Sequence, residues 1–213
     1  MQVYISSTSI YKKGERTNSS NYRPISLLLT LSKVLEITMY NKSNQHLNSN
    51  RIIVSEQYGF RRGNSIENAI FSLTNTILSS LNKKPVIEGL FCDLSKAFDS
   101  VKHSVLLQKL FYYGVRETYH NWFKPYLTNR QQKVIITTNG GNHSSNWETV
   151  TSGVPQGSIL GLLLFIIYIN DLPHIIQQTA KPVIYADDTS ILIQATNIME
   201  LHAKVSDTIH RIK

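Results

Sequence analysis

The sequence of 213 residues contains a single cysteine, Cys92. A lone cysteine excludes an internal disulfide bond and a cysteine-rich zinc site, so we expect no disulfide partner and find no sign of an oxidising compartment. The seven histidines lack the spacing of zinc ligands, and we interpret them as structural or exposed.

Long hydrophobic runs are also lacking. The longest run, Ile159 to Ile169, has 11 residues and includes a glycine, well short of the roughly 18 or more that suggest a membrane span. The residues after Met1 are not a basic stretch followed by an apolar one, so no signal peptide is predicted. We expect a protein inside the cell without a membrane partner, and the sequence leaves nucleus and cytoplasm equally open.

Aspartate is absent from the first 84 residues, which hold eleven Lys or Arg against four Glu, whereas the rest of the chain holds eleven basic and ten acidic residues. A basic N-terminal part attracts polyanions, and nucleic acid is the commonest such partner. A generally basic, solvated surface explains the charge equally well. The hydrophobic content of 41% is that of a folded protein, and the length fits one domain or a two-lobed one.

Apolar residues at helical spacing predict several helices. The first begins at Leu31, with Val34 and Met39 on its apolar face, and its helical spacing fades in the polar stretch 41–50. A clearer one begins at Asn64, where Glu67 completes a capping box. Others are predicted over 104–113 with Gly114 as its stop, around Trp122 and Phe123, from Gly161 to about 170, and from Asn197 to the C terminus, with Glu200 as a second capping partner.

Strands are predicted where β-branched and apolar residues cluster, at 86–94, 133–138, 148–154, 183–186 and 190–194, whereas residues 1–30 are expected to be polar and irregular. The strand over 86–94 is expected to be buried, with Asp93 at its C-terminal end. The last two strands are expected to face each other across a tight turn that holds Asp187 and Asp188.

These three acids are the candidate chemical centre. Adjacent carboxylates at a hairpin tip repel each other and favour a bound cation, and hard oxygen ligands suit Mg²⁺. An isolated Asp-Asp pair is more often an ordinary turn. If Asp93, 94 residues before Asp187, ends a neighbouring strand of the same sheet, three carboxylates converge.

Five segments, in order along the chain, resemble the successive motifs of reverse transcriptases, most closely those of jockey-like non-LTR (LINE) retrotransposons. They are Asn21-Tyr22-Arg23-Pro24-Ile25-Ser26-Leu27-Leu28, Gln57-Tyr58-Gly59-Phe60-Arg61, Asp93-Leu94-Ser95-Lys96-Ala97-Phe98-Asp99, Gly153-Val154-Pro155-Gln156-Gly157-Ser158 and Tyr185-Ala186-Asp187-Asp188. Five motifs in the right order are far more specific than any one of them.

The resemblance implies an α+β fold: a polymerase palm, with an antiparallel sheet backed by helices, and a smaller, basic, helical fingers lobe. The reverse transcriptase domain would span 10–213, with 10–84 mainly fingers and 85–213 mainly palm, after a tail at 1–9. The final helical pattern reaches the terminus without a stop signal, so we expect a truncated chain in which the thumb is missing and no endonuclease module precedes residue 10.

The implied activity is RNA-directed DNA polymerisation, with an RNA template, a DNA primer and dNTP as partners and two Mg²⁺ ions as cofactors. Asp93 and Asp187 would be the principal metal ligands, Asp188 a supporting acid, and Asp99 structural. The implied nucleotide-binding residues are Arg61 at the triphosphate, Phe98 against the sugar 2′ side, and Gln156 with Gly157 under the nucleotide and template base.

Three positions depart from the family pattern: Leu162 and Ser9 replace usual prolines, and Ile66 replaces a usual threonine. None is a proposed metal ligand, but such drift is expected in a decaying element. The alternative is therefore a catalytically inactive, truncated nucleic-acid-binding remnant of the same family. A third interpretation, a basic domain with coincidental motifs, requires Asp93 and Asp187 to lie far apart.

Overall fold

The computed structural model describes residues 3–61, 63–83, 85–93, 97–138, 141–177 and 180–212. By their contacts these residues group into two compact units. The first lies within Met1–Asn50 and Lys96–Tyr168, and the second within Arg51–Ser95 and Ile169–Lys213. Each unit is built from two separate stretches of chain and has its own β-sheet.

Strands and helices alternate irregularly along the chain. The strands are β1 (Val3–Tyr11), β2 (Tyr22–Leu27), β3 (Val86–Asp93), β4 (Arg130–Thr138), β5 (Gly141–Ser144), β6 (Glu148–Thr149), β7 (Lys181–Tyr185) and β8 (Asp188–Ala195). The helices are α1 (Thr30–Ser49), α2 (Ile66–Lys83), α3 (His103–Tyr112), α4 (Glu117–Thr128), α5 (Ile159–Ile169), α6 (Leu172–Ile176) and α7 (Ile198–Ile212). This mixture with largely antiparallel pairing confirms the predicted α+β class.

The sheet of the first unit has the order β2-β1-β4-β5, with β6 also paired to β4. Its presence corrects the prediction that residues 1–30 are irregular, because β1 and β2 form an antiparallel pair and β1 runs parallel to β4. The pattern of β1 was hidden by its composition. Ile5 and Ser7 are its fully buried positions, and a buried serine does not register as apolar alternation.

Helix α1 was predicted in the right place, but its buried face was wrong. Leu31 and Val34 are exposed, whereas Met39 is buried together with Glu36 and Leu47. The helix continues through the polar residues 41–49. Because Glu36 and Ser43 occupy the inward face, the spacing of apolar residues does not reveal which face of the helix is buried.

The core of the first unit is formed by α3, α4 and α5. Leu106 and Leu110 of α3, Phe123 and Leu127 of α4, and Leu164 of α5 are all completely buried. The predicted stop of α3 is confirmed, since Gly114 adopts a left-handed φ of 86°. The strand predicted over 148–154 is reduced to the two residues of β6, and a hairpin strand, β5, begins in the segment predicted as a turn.

The sheet of the second unit is the antiparallel sheet β3-β8-β7. One face packs on α6 and α7 through Ile176, Ile191, Ile193 and Leu201. Strand β3 is at the edge of the sheet and is only partly buried, so the expectation of a buried strand was wrong. The capping pair predicted for α7 is confirmed, because the Glu200 backbone N–H donates to Asn197 Oδ1 at 2.9 Å.

Helix α2 packs against this sheet through polar contacts. Lys181 Nζ donates to Thr76 Oγ1 at 2.8 Å, and Gln194 Nε2 donates to Ser80 Oγ at 2.6 Å. Its apolar residues Ile70 and Leu81 are exposed instead. At its start, the Asn68 backbone N–H approaches Ser65 Oγ at 3.4 Å, so Ser65 is the N-cap rather than the predicted Asn64.

One helical stretch, Ile159–Ile176, is long and apolar enough by composition to cross a membrane. A little over half of it is buried inside the protein, which is equally typical of a core helix. The predictions at Leu94 and at the Asn139-Gly140 turn lie outside the described residues.

Candidate active site

The three acids predicted as metal ligands come together in the second unit. Asp93 ends β3 and lies directly opposite Asp188, the first residue of β8, in the antiparallel register. Asp187 is the adjoining residue in the turn between β7 and β8. Side chains directly opposite each other in such a pair have Cβ atoms about 4.5–5.5 Å apart. The register therefore gathers carboxylates that are 94 and 95 residues apart along the chain.

Solvent reaches all three carboxylates: Asp93 and Asp188 are exposed, and Asp187 is half-buried. Like charges directly opposite each other destabilise a strand pair. Since no described residue forms a salt bridge with these carboxylates, a cation bound between them would relieve the repulsion.

The donor chemistry fits magnesium. Mg²⁺ is usually held by one or two carboxylates, and water and substrate phosphates complete its coordination. Within the described ranges, no group of three or more His, Cys, Asp or Glu side chains surrounds a point closely enough to hold an ion unaided. The cross-strand pair Asp93–Asp188 with Asp187 beside it suits an ion shared with substrate.

The turn that carries Asp187 has an unusual backbone. Ala186 adopts a left-handed φ of 60° although it is not glycine, and it is buried. The segment Glu56 to Gly59 runs alongside it: the Tyr58 backbone N–H donates to Ile184 O at 2.8 Å, and the Ile184 N–H donates to Glu56 O at 2.9 Å. A loop far away in sequence thus lies against the hairpin tip.

No role was predicted for Gln57 of this loop. Its side-chain oxygen accepts hydrogen bonds from the backbone N–H groups of Gly59, at 2.8 Å, and of Ala186, at 3.2 Å. The only available signal was its place in the motif Gln57-Tyr58-Gly59-Phe60-Arg61. Spacing alone does not show that a glutamine side chain bonds to a turn more than a hundred residues away.

Arg61 belongs to the same loop. Its Nη1 donates to Val54 O at 2.6 Å and to Gln57 O at 3.2 Å, and the side chain is partly buried. In this arrangement the guanidinium bridges the Val54 and Gln57 carbonyls beside the hairpin.

Phe98, Gln156 and Gly157 lie in the first unit, where they form a second group. The Phe98 ring packs on Phe165 with centroids 4.7 Å apart. Gln156 Nε2 donates to Asp99 Oδ1 at 3.2 Å. Gly157 has a left-handed φ of 89°, and a Cβ there would lie 3.2 Å from Ile25 Cγ2.

The loop of this second group is attached to Asp99 at close range. The Val154 N–H donates to Phe98 O at 2.8 Å. A Cβ on Gly153 would approach the Asp99 Cα and O atoms at 2.8 and 2.9 Å. The structure therefore places Asp99 as a support of the Gln156 loop, in keeping with the structural role expected for it.

Buried polar side chains support this loop through the carbonyl oxygen of Gly153. Arg130 Nη2 donates to Gly153 O at 2.9 Å, and His103 Nε2 lies 2.8 Å from the same oxygen. Burial lowers the pKa of His103, so the ring is neutral at physiological pH and donates its Nε2 proton.

A separate buried hydrogen bond joins α4 to α1. Tyr126 donates to Glu36 Oε1 at 2.6 Å, and burial raises the pKa of both groups.

The chain is similar in sequence to known proteins. The family model for reverse transcriptase (RNA-dependent DNA polymerase) matches residues 10–212. The probable RNA-directed DNA polymerase from transposon BS of Drosophila melanogaster is 37% identical over 196 residues, which cover 86% of this chain and 20% of that protein. The RNA-directed DNA polymerase from mobile element jockey of the same species is 29% identical, over 89% of this chain and 21% of that protein.

Solved structures of telomerase share the fold. An apo telomerase from Candida tropicalis superposes with a TM-score of 0.63 at 14% identity, over 98% of this chain and 46% of that one. A telomerase from Candida albicans, solved in complex with a fragment of telomeric RNA, gives 0.62 at 14% identity, over 99% and 39%. These likenesses confirm the predicted palm-type α+β fold.

The chain spans about a fifth of the length of the retrotransposon relatives it matches. Within that span the resemblance to jockey-like non-LTR elements is confirmed by the relatives and by the family model. Two of the carboxylates in the motifs identified in the sequence, Asp93 and Asp188, are the ones that the β3–β8 register pairs. The chain belongs to the reverse transcriptase (RNA-dependent DNA polymerase) family.

Proposed function

We propose that this chain contributes the active site of a reverse transcriptase that extends a DNA primer on an RNA template, using dNTP and two Mg²⁺ ions. The family uses divalent metal ions generally. The observation that carries the proposal is the register pairing of Asp93 with Asp188 next to Asp187. We further propose that residues 10–84 serve mainly as fingers and 85–213 mainly as palm.

In this reaction the primer 3′-hydroxyl oxygen bonds to the α-phosphorus of the nucleotide, the bond to the pyrophosphate oxygen breaks in line, and the hydroxyl proton leaves to solvent. Bound metal ions would lower the pKa of the hydroxyl and neutralise charge on the leaving pyrophosphate. Asp93 and Asp187 would hold the ions, and Asp188 would add negative charge that favours their binding.

The nucleotide-binding roles are proposals on the same basis. Arg61 would turn its planar guanidinium to the triphosphate, exchanging the carbonyls of Val54 and Gln57 for phosphate oxygens. Phe98, fixed by its contact with Phe165, would exclude a ribose 2′-hydroxyl by its bulk. Gln156 and Gly157 would form a flat backbone surface under the nucleotide and template base.

The second candidate function is nucleic-acid binding without catalysis. It is favoured by the basic excess of residues 1–84 and by the family positions at which Ser9, Ile66 and Leu162 depart from the usual residue. Both candidates predict binding to a primer–template duplex with an affinity that falls as salt rises, because counterions are released on binding. Only the first predicts magnesium-dependent extension.

The test is primer extension on an RNA template with Mg²⁺ and dNTP, with Asp187→Ala compared against Asp207→Ala, a surface control on α7. Extension by the wild type and the control, lost in Asp187→Ala while duplex binding is retained, supports the polymerase. Binding by all three proteins without extension supports the silent remnant. Equal loss of binding and extension in Asp187→Ala contradicts a purely catalytic role for that carboxylate.

A further inference from the structure

Gln57 is buried beside the hairpin tip, with only 2% of its surface exposed. Its Oε1 accepts from two backbone N–H groups, those of Gly59 at 2.8 Å and Ala186 at 3.2 Å. Since both partners are donors, the side-chain oxygen and not the nitrogen must face them. One side-chain atom therefore connects the loop to the residue that precedes Asp187.

The turn needs such a connection. A residue with a Cβ adopts a left-handed φ only at an energetic cost, and Ala186 does so at 60°. Its N–H is buried, and a buried donor without an acceptor is destabilising. The Gln57 oxygen supplies the acceptor at this residue with a left-handed backbone.

The loop approaches the turn as closely as the chain permits. Gln57 and Ile184 form an isolated parallel bridge, flanked by the hydrogen bonds of Tyr58 and Glu56 to Ile184. A Cβ on Gly59 would lie 2.3 Å from the Ala186 nitrogen. Only glycine allows this approach, and the approach brings Gln57 within reach of the turn.

We propose that Gln57 is a positioning residue for the metal-binding acids: its side-chain oxygen holds the Ala186 N–H, and thereby the direction in which Asp187 leaves the turn. The part of this inference that concerns metal rests on the proposed function. The part that concerns the turn stands on the geometry alone.

Two substitutions separate the hydrogen bond from the space that the side chain fills. Gln57→Met keeps the length of the side chain and removes the acceptor, and Gln57→Glu keeps an acceptor oxygen in the same place. Gln45→Met, on an exposed glutamine of α1, is the matched control for the chemical change. Should Gln57→Met fail to fold, Gln57→Asn, one methylene shorter, replaces it.

The first measurement is the rate of amide hydrogen exchange at Ala186, which is monitored by NMR on the whole chain. We expect the Ala186 N–H to be protected in the wild type, in Gln57→Glu and in Gln45→Met, and to exchange markedly faster in Gln57→Met. Unchanged protection in Gln57→Met would overturn the inference without any reference to catalysis.

The second measurement is Mn²⁺ binding by electron paramagnetic resonance, with Asp187→Asn as the reference for a lost ligand. Substitution of a residue that orients metal ligands typically lowers metal affinity on the order of 10–100-fold. We therefore expect Gln57→Met to lose Mn²⁺ affinity in that range and Gln57→Glu to regain much of it. Equal affinity in wild type and Gln57→Met overturns the positioning role. If the wild type binds no Mn²⁺, the proposed metal site fails, and hydrogen exchange still decides the role of Gln57 in the turn.

Discussion

At the scale of single residues, Gly153 shows how closely the Gln156 loop is fitted to its support. It combines a left-handed φ of 86° with atoms of Phe98 and Asp99 less than 3 Å from where a Cβ would be. Gly63 has nearly the same φ, 85°, with open space around it. Alanine substitutions at the two glycines therefore distinguish the cost of backbone strain, present at both, from the cost of steric clash, present only at Gly153.

We predict that Gly63→Ala lowers the free energy of unfolding by roughly 1–2 kcal/mol, the cost of a left-handed alanine. Gly153→Ala should cost about 1–3 kcal/mol more, since overpacking adds to that strain. Urea denaturation of both variants checks the difference. An equal loss of unfolding free energy in both variants would show that the Asp99 backbone moves to make room for the added methyl group.

Phe98 makes a prediction about sugar selectivity. Phe98→Val removes most of the bulk proposed to exclude a ribose 2′-hydroxyl, so ribonucleotide incorporation relative to deoxynucleotide should rise by roughly 10–200-fold. Single-nucleotide extension with each sugar measures the ratio, and Phe91→Val, at an exposed phenylalanine of β3, is the control. An unchanged ratio of ribonucleotide to deoxynucleotide incorporation would show that Phe98 has a packing role against Phe165 and does not select the sugar.

Residue identities predicted some of these features and not others. The acids were recognisable because they lie in motifs that follow one another in a fixed order, whereas an isolated Asp-Asp pair is more often an ordinary turn. Gln57 was not recognisable as a support of the turn, because its partner Ala186 is 129 residues away. Its hydrogen bonds depend on the path of a loop that has no periodic pattern.

At the scale of elements, the link between α1 and α4 is a buried hydrogen bond. Tyr126 donates to Glu36 Oε1 at 2.6 Å, and Glu36 is almost fully buried. The raised pKa values of both groups follow chiefly from burial. The contact fixes the buried face of α1 that periodicity did not reveal.

We expect Tyr126→Phe to lower the free energy of unfolding by about 1–3 kcal/mol, because Glu36 then keeps a buried oxygen without its donor. Tyr119→Phe, on the more exposed side of the same helix, should change it by less than about 0.5 kcal/mol. Chemical denaturation provides both values. A neutral Tyr126→Phe would mean that the carboxyl group finds another donor.

The cap of α7 predicts a dependence on pH. Hydrogen bonds from Lys204 and Thr196 lower the pKa of Glu200 from 4.5 to about 2. A depressed folded-state pKa contributes stability that is fully present above 4.5 and is lost as pH falls towards 2. The melting temperature of Glu200→Gln should therefore lie below that of the wild type at neutral pH, with a gap that narrows over this interval. A constant gap would rule out the carboxylate as its cause.

Local pattern predicted the elements whose signals are local. The β7–β8 hairpin, β3 and α7 follow from alternation, β-branched residues and capping pairs. Strand β1 was missed because its inward positions include Ser7. The predicted face of α1 was wrong because Glu36 and Ser43 occupy inward positions, and a tertiary contact such as the Tyr126 bond overrides hydrophobic periodicity there.

At the scale of the whole molecule, two separate stretches of chain make each unit, a division that no composition shift in the sequence indicates. The class of fold was predictable because family motifs occur in a fixed order. The convergence of the acids was a conditional expectation, and it depended on whether Asp93 ended a strand of the hairpin's sheet. The pairing of Asp93 with Asp188 fulfils that condition.

The most direct test of the proposed two-metal site counts the metal ions held by Asp93, Asp187 and Asp188. Mn²⁺ binding is titrated on the protein with an RNA template, a chain-terminated DNA primer and the matching dNTP, for the wild type, Asp93→Ala, Asp187→Ala and the control Asp207→Ala. We predict two ions per complex in wild type and control, and fewer in both active-site variants. The same number of ions in all four proteins would contradict this prediction.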